Sequence, residues 1–317
     1  MAEAAYSGIF HAISAFCNAG FSLYPDSLVR FQTDPVVIAI VSALVIAGGL
    51  GFLVGLDVKE YLQQSLFKSL WPARVRERIE AVRPRPRLSL HTKMVLAMTS
   101  SLLAIGTVSY YGLERMGVLR EMPAADALVN AWFCSVTART AGFNTIDYAN
   151  LGGPALLCTM VLMFIGASPG SAGGGVKTST FGLLLIYAVY RWRGHGAPHA
   201  FRRSIPQETL DRASAVVVAA VGFVIIAGSF LMATEARSTD PLESQSRFLP
   251  VLFETFSGFG TVGLSMGITG GLTTAGKLVL CIVMFVGRVG PLTAALAVAT
   301  RRRRPRISYA EENIMVG

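Results

Sequence analysis

The most informative stretch of this 317-residue chain is Thr140-Ala141-Gly142-Phe143-Asn144, and two counterparts stand elsewhere: Asn18-Ala19-Gly20-Phe21-Ser22 and Thr261-Val262-Gly263-Leu264-Ser265. Each of these three glycine motifs follows a short amphipathic stretch and precedes a long apolar run. Glycine reaches positive φ values and has no Cβ, so a glycine-centred strand can turn several carbonyl groups toward one axis. Rings of such carbonyls replace the hydration shell of a potassium ion in selective pores. The pattern therefore predicts re-entrant pore loops, each a short helix, a strand and a membrane helix.

The three motifs share a register that extends beyond their glycines. Ten positions before each central glycine stands an aromatic residue, in order Phe10, Trp132 and Phe253. Twenty-four positions after the second and third glycines come Gly166 and Gly287, and the first copy reaches Gly48-Gly49-Leu50-Gly51 after a longer outer loop. Glycine packing between membrane helices is the alternative, but it does not require a shared register. The register favours one structural unit used several times.

Composition places the chain in a membrane. It is 52% hydrophobic and 15% charged, with a mean hydropathy of +0.53, whereas soluble domains carry about 25% charged residues. Long apolar runs cover residues 35–56, 91–113, 152–192 with a break, 209–234 and 275–300; the stretches 4–17, 123–138 and 247–259 are too short to span a bilayer. We expect an all-α polytopic membrane protein with potassium-channel-like tandem helix–pore loop–helix repeats.

No catalytic centre is predicted. The sequence has no nucleophile–base pair, no zinc-protease motif, and no cysteine and histidine cluster with metal spacing. We expect the chain to be no enzyme and to bind no cofactor, with potassium as its substrate.

Basic residues predict the orientation of the chain. Residues 57–93, 191–212 and 301–306 hold nine, five and five of the 28 lysines and arginines. The segments on the other side, 18–34, 113–140 and 236–277, hold one, three and three. By the positive-inside rule, the basic loops lie in the cytoplasm and the glycine motifs lie toward the outside. The net charge of +9 then indicates contact with anionic lipids rather than with nucleic acid.

A glycine-rich segment interrupts the third long apolar run, residues 152–192. It reads Gly166-Ala167-Ser168-Pro169-Gly170-Ser171-Ala172-Gly173-Gly174-Gly175-Val176-Lys177-Thr178 and is called the glycine loop below. Five glycines and a proline in thirteen residues break a regular helix. Irregular backbone at membrane depth is tolerated where protein buries it or where it lines a water-filled cavity. We predict a gate below the pore-loop strands.

The glycine loop also nearly matches a phosphate-binding loop. Val176 separates Gly175 from Lys177, and the segment lies between apolar runs instead of following a strand. Nucleotide binding at this loop is therefore not expected.

Charged residues inside apolar runs are candidates for function, because a lone charge in hydrocarbon is costly. Arg288 either faces the pore, repelling a cation or hydrogen-bonding the glycine loop, or reaches the membrane surface. Lys177 either faces the inner cavity or reaches the cytoplasmic surface. Glu254 is expected to add negative potential near the outer mouth, and His11 and Arg139 fit a structural role equally well.

Several segments together resemble the Trk/Ktr/HKT potassium transporters, particularly the bacterial Ktr/Trk-type membrane subunits. The first glycine motif with Phe10-His11-Ala12-Ile13-Ser14-Ala15-Phe16-Cys17 is similar to the second pore loop of that family, and the other motifs are similar to the third and fourth. The glycine loop resembles the gating loop, and Gly287-Arg288-Val289-Gly290-Pro291 resembles the segment with the pore arginine.

The resemblance implies a potassium-translocating homodimer in the bacterial cytoplasmic membrane, gated by a cytosolic ring of nucleotide-binding subunits. It implies that the selectivity filter is formed by backbone carbonyls of residues 18–21, 140–143 and 261–264. The implied gate residues are Gly166, Ser168, Pro169, Gly170, Ser171, Gly173, Gly174, Gly175, Lys177 and Arg288.

The family has four repeats, and this chain matches three. Its expected divisions are 1–56 (pore helix, filter and inner helix of repeat two), 57–90 (cytoplasmic connector), 91–193 (repeat three with a broken inner helix), 194–208 (connector), 209–300 (repeat four) and 301–317 (basic cytoplasmic tail). We expect repeat one and the outer helix of repeat two to be missing, through truncation, a wrong start site or separate supply. The chain alone is then not expected to form a selective pore. The alternative function is a secondary transporter for another cation or small solute.

Overall fold

A computed structural model describes residues 2–70, 87–194, 198–235 and 241–300. The described structure is mostly helical. Its α-helices are α1 (Ala2–Phe16), α2 (Pro35–Leu50), α3 (Phe52–Leu70), α4 (Leu90–Glu114), α5 (Ala124–Thr137), α6 (Gly153–Phe164), α7 (Thr178–Trp192), α8 (Gln207–Glu235), α9 (Pro241–Gly260) and α10 (Thr274–Thr300). A short antiparallel pair, β1 (His199–Ala200) and β2 (Arg203–Ser204), precedes α8.

Three consecutive units follow the same plan. A helix (α1, α5 or α9) leads into a glycine motif, a short 3-10 helix follows, and a second helix begins (α2, α6 or α10). We keep the names pore helix for the first and inner helix for the second, following the sequence prediction. The 3-10 helices are Val29–Phe31, Tyr148–Asn150 and Thr269–Gly271. In the second and third units an outer helix, α4 or α8, precedes the pore helix. We refer to these units as copy one, copy two and copy three.

Local sequence explains where the inner helix of copy one begins and ends. Asp34 accepts hydrogen bonds from the amides of Val36 and Val37, and Pro35 occupies the first turn, where its missing N–H is not needed. The helix stops at Leu50, because Gly51 has a φ of +87°. The chain then bends by 101° into α3. The apolar run 35–56 is therefore two helices rather than one.

The expected cytoplasmic connector 57–90 is helical up to Leu70, and its residues 71–86 lie outside the described part of the chain. The basic tail 301–317 and residues 195–197 of the second connector also lie outside it. Within the described ranges, α4 and α8 are each long and apolar enough to cross a membrane, and α2 with residues 52–65 passes the same test as a bent pair.

Copy two lies at the centre of the packing. Its outer helix α4, pore helix α5 and inner helix α6 share one buried cluster that reaches pore helix α9 of copy three. Within this cluster Tyr110 bonds Thr159 at 2.6 Å, and Tyr148 packs against Phe253 with ring centroids 5.9 Å apart. A second cluster joins α1 and α2 to α4 and α5, so copy two packs against both of the other copies.

Candidate functional site

The three central glycines meet at one place. A Cβ added to Gly20 would lie 2.5 Å from the carbonyl oxygen of Ala141 and 3.1 Å from Gly142 Cα. A Cβ on Gly142 would collide with the carbonyl oxygen of Val262 and lie 3.5 Å from Gly20 Cα. A Cβ on Gly263 would lie 3.8 Å from Gly142 Cα. At Gly20 and Gly142 the backbones approach too closely for any side chain, whereas at Gly263 glycine is favoured by its φ of +93°.

The backbone of each motif is left-handed at two positions. The φ values are +70° at Gly20, +83° at Gly142 and +93° at Gly263. The residue two positions earlier is also left-handed in every copy, although none is glycine: Asn18 (+49°), Thr140 (+76°) and Thr261 (+52°). Left-handed non-glycine residues are uncommon and concentrate at functional sites.

Each pore helix ends in hydrogen bonds that hold its strand. In copy one the amide of Asn18 donates to Ala15 O at 3.1 Å, and the amide of Ala19 donates to Ser14 O at 2.9 Å. The equivalent bonds of copy three run from Thr261 to Gly258 O at 3.0 Å and from Val262 to Ser257 O at 2.9 Å. In copy two the amides of Ala141 and Gly142 both point to Thr137 O, at 3.0 and 3.4 Å. The internal repeat therefore extends to backbone hydrogen bonding, with one shift in copy two.

The residue after each glycine belongs to the strand but has different surroundings in each copy. Phe143 and Leu264 are buried, whereas Phe21 is 70% exposed. Ser14 Oγ donates to Phe21 O at 2.8 Å, and Thr137 Oγ1 donates to Phe143 O at 2.5 Å. These two carbonyls thus bond their own pore helices, while the carbonyl oxygens of Ala141 and Val262 face the neighbouring glycines.

Polar side chains link the inner ends of the strands. Asn18 and Thr140 lie 3.2 Å apart. With the amide nitrogen of Asn18 turned toward the carbonyls of Ala15 and Val45, at 3.0 and 3.1 Å, its oxygen accepts the hydrogen bond of Thr140 Oγ1. This link fixes copy one to copy two below the glycines.

The glycine loop doubles back on itself between α6 and α7. Ile165 and Val176 form an isolated parallel bridge, and the Thr178 amide donates to Ala167 O at 3.3 Å. Ser168 Oγ and Thr178 Oγ1 lie 2.9 Å apart. Its buried polar groups are thereby satisfied without a helix.

Two glycines of this loop lie directly against the strands. The Gly174 amide donates to Thr261 Oγ1 at 3.0 Å, and a Cβ on Gly174 would lie 2.5 Å from the same oxygen. A Cβ on Gly173 would collide with Thr140 Oγ1. The loop therefore touches the residues two positions before the glycines of copies two and three.

The other side of the loop is held by α2 and α3 of copy one and by the inner helix of copy three. The Ser168 amide donates to Gly49 O at 3.0 Å, and the Phe52 amide donates to Gly170 O at 3.2 Å. The Gly175 amide donates to Gly287 O at 3.2 Å. Three further predicted gate residues also make contacts at the loop. The Pro169 carbonyl oxygen faces Gly51, Gly166 packs on the Gly174 carbonyl, and Ser171 Oγ donates to Ser168 O at 2.6 Å.

Both basic residues predicted for the gate bind adjacent carbonyls of this loop. Arg288 Nη1 donates to Ala172 O, and Lys177 Nζ donates to Gly173 O at 2.6 Å. The sequence left three arrangements open for Arg288: repelling a cation in the pore, hydrogen-bonding the glycine loop, or reaching the membrane surface. In the structure Arg288 hydrogen-bonds the loop. Lys177 is half-buried and is directed to the loop rather than to a surface.

Glu254 and His11 occupy equivalent positions, nine residues before the glycine of their copy. Glu254 Oε1 accepts from Ser265 Oγ and, at 3.0 Å, from Thr269 Oγ1. His11 Nε2 lies 3.1 Å from Ser22 Oγ. Ser22 and Ser265 both stand two residues after the glycine, so each pair ties a pore helix to the outer end of its strand.

Sequence reasoning missed two buried carboxylates that the same register would have found. Glu114 and Glu235 each stand 28 residues before the glycine of their copy and are 3% and 4% exposed. Glu114 Oε1 accepts from the Gly152 amide at 2.9 Å, and Glu235 Oε1 accepts from the Thr273 amide at 2.9 Å. Each carboxylate thus joins the end of an outer helix to the start of the inner helix in its copy, where negative charge is favourable.

Comparisons with known proteins identify the family of the chain. The family model of TrkH, described as a cation transport protein, matches residues 2–307. The potassium/sodium uptake protein NtpJ of Enterococcus hirae is 40% identical over 319 residues, covering 100% of this chain and 65% of the relative. The Ktr system potassium uptake protein B of Bacillus subtilis is 38% identical over 314 residues, covering 98% of this chain and 64% of the relative.

Among solved structures, the potassium transporter TrkH from Vibrio parahaemolyticus matches with a TM-score of 0.66 at 18% identity, covering 93% of this chain and 58% of that one. That similarity concerns the fold. The chain spans just under two thirds of the length of the curated relatives that it matches. With matches over nearly all of its residues, the chain belongs to the TrkH family of cation transport proteins.

Proposed function

We propose that this chain contributes most of a potassium-conducting pore in the bacterial cytoplasmic membrane. The observation that carries the proposal is the meeting of Gly20, Gly142 and Gly263, with the carbonyl oxygens of Ala141 and Val262 between them. Backbone oxygens on a strand of alternating handedness can replace the water around a potassium ion. The relatives are named as potassium or potassium/sodium uptake proteins, which supports potassium as the transported ion.

A fourth glycine-centred loop would complete the ring of carbonyls. Gly20 and Gly142 each face a carbonyl oxygen of the following copy. Among the described residues, only Gly142 Cα lies within 4 Å of a Cβ on Gly263. That open side is where a loop outside these 317 residues would fit. A preceding segment or a separate chain could supply it.

The pore helix of copy one supports the same proposal. Ile9, Ile13 and Phe16 form a stripe on α1 and are 63%, 61% and 52% exposed. The residues at these positions in copy two are fully buried, and they are Ala131, Ser135 and Ala138. In copy two the outer helix covers this face, with Ser135 Oγ donating to Leu103 O of α4. An apolar outer helix would cover the stripe on α1 in the same way.

The glycine loop is the proposed gate. It touches Thr140 and Thr261 directly below the glycines, and its carbonyls at positions 172 and 173 are held by Arg288 and Lys177. Opening requires these few hydrogen bonds to break, while α6 and α7 stay intact.

We further propose a multi-pass homodimer that docks a cytosolic nucleotide-binding ring and contacts anionic lipids through its basic connectors. These assignments rest on the family resemblance and on the charge bias.

A flux experiment tests the proposal. The chain is reconstituted in vesicles alone, and in parallel fused behind the N-terminal third of the B. subtilis relative, and rubidium uptake is followed in potassium, sodium and rubidium gradients. We expect selective flux from the fusion and none from the chain alone. In the fusion, Gly142→Ser should abolish flux, whereas Gly222→Ser, at a glycine with open space around its Cβ position, should preserve it.

Two outcomes would overturn parts of the proposal. Selective flux by the chain alone would remove the need for a fourth loop. Saturable exchange of another solute, insensitive to Gly142→Ser, would favour the alternative of a secondary transporter.

A further inference from the structure

Arg139 is a buried cation behind the strand of copy two. Arg139 stands three residues before Gly142 and is 7% exposed. Within the residues that the structure describes, its Nε–H has no hydrogen-bond acceptor, and the ion pairs formed there do not include it. A guanidinium keeps its charge in proteins, so it cannot escape the cost of burial by losing a proton.

A second orphaned group faces the same cavity. Thr99 of α4 is 6% exposed, and its hydroxyl has no hydrogen-bond partner in the described part of the chain. Arg139 and Thr99 line a cavity of about 10 Å³ between α2, α4 and α5. That volume is enough for about one water-sized particle. The remaining lining comes from Val45, Ile46, Gly49, Leu103 and Val136.

The chemistry of this lining selects an acceptor with negative charge. The guanidinium only donates, and the hydroxyl of Thr99 is free to rotate and donate. The other lining side chains are aliphatic and offer no acceptor. A water molecule could accept both hydrogen bonds, but its own hydrogens would find no side-chain partner and the charge would remain unneutralised. A halide accepts both hydrogen bonds and compensates the charge.

We propose that this cavity binds one halide-sized monovalent anion between Arg139 and Thr99. The bound anion would offset the positive charge behind the Gly142 strand. A positive charge at that place would otherwise repel a cation held by the carbonyl of Ala141. The site does not depend on which cation the chain transports.

Anion-dependent stability provides the test. The thermal unfolding midpoint of the purified full chain in detergent is titrated with sodium bromide against sodium gluconate at constant sodium, since gluconate is too large for the cavity. We expect a saturable rise in bromide and chloride only. Thr99→Val keeps the shape but removes one donor, and it should weaken the apparent bromide affinity about tenfold. Arg139→Gln should abolish the rise if that variant folds.

Thr107→Val is the matched control, because the hydroxyl of Thr107 lies on the same helix and already donates to Leu103 O at 2.7 Å. It should leave the bromide affinity unchanged. Bromide-soaked crystals should show anomalous density in the cavity. Equal responses to bromide and gluconate, an unchanged affinity in Thr99→Val, or an ordered water without anomalous signal would each overturn the proposal.

Discussion

The amide of Gly174 donates a hydrogen bond of 3.0 Å to the hydroxyl of Thr261. Gly174 belongs to the glycine loop, and Thr261 is the left-handed residue two positions before the central glycine of copy three. This contact joins the proposed gate to the proposed filter, so a movement of one alters the other.

Thr261→Val should loosen the gate. Valine keeps the branched shape but offers no acceptor to the Gly174 amide, and losing one hydrogen bond costs about 1 kcal/mol, or about fivefold in an equilibrium. We expect a rise of about that size in basal rubidium flux of the fused protein. Thr180→Val, outside the loop, serves as the control, and a lower flux in Thr261→Val would contradict the coupling.

Gly173→Ala should displace the loop from copy two. The added Cβ would collide with Thr140 Oγ1 and lie 2.5 Å from Ala167 Cβ. Because overpacking of this kind typically costs about 1–3 kcal/mol, we expect the closed arrangement to lose stability and flux to increase. Gly153→Ala is the matched control, since nothing lies within 4 Å of its Cβ position. Unchanged flux in Gly173→Ala would argue against the loop as gate.

Arg288→Gln should also favour the open state. The substitution removes the charge-assisted hydrogen bond to Ala172 O, a class of interaction that contributes about 1.5–3 kcal/mol. We expect higher basal flux than in Thr261→Val and partial restoration in Arg288→Lys. A double substitution with Lys177→Gln should show non-additive flux, because both side chains hold adjacent carbonyls.

Glu114→Ala should reduce stability without changing ion selectivity. The carboxylate accepts from the amides of Gly152 and Val118, at 2.9 and 3.2 Å, and its loss leaves both without a partner. We expect a destabilisation of about 1–3 kcal/mol, measured by thermal unfolding in detergent. Glu121→Ala, at an exposed position on the same outer side, should have little effect. A changed potassium-to-sodium ratio in Glu114→Ala would instead place Glu114 in the permeation path.

Periodicity and glycine spacing determine most of the architecture. The apolar runs 91–113 and 209–234 correspond to α4 and α8, and the interruption near Gly166 falls between α6 and α7. These features are local, because hydrophobic length and helix-breaking residues act within one segment. The motifs also indicate left-handed backbone, which the φ values of Gly20, Gly142 and Gly263 display.

Contacts between segments required the folded chain. The 101° bend at Gly51 interrupts an apolar run that reads as continuous, because the Gly51 turn packs against the Pro169 carbonyl of a distant loop. Arg288 had three arrangements open in the sequence, and its bond to Ala172 spans 116 positions. Glu114 and Glu235 stand at the same spacing from their motifs in the sequence. Only the structure shows that they are buried and join an outer helix to an inner helix. Sequence patterns specify the secondary structure of each segment. The long-range partners depend on which segments come close together in the folded chain, and tertiary packing decides that.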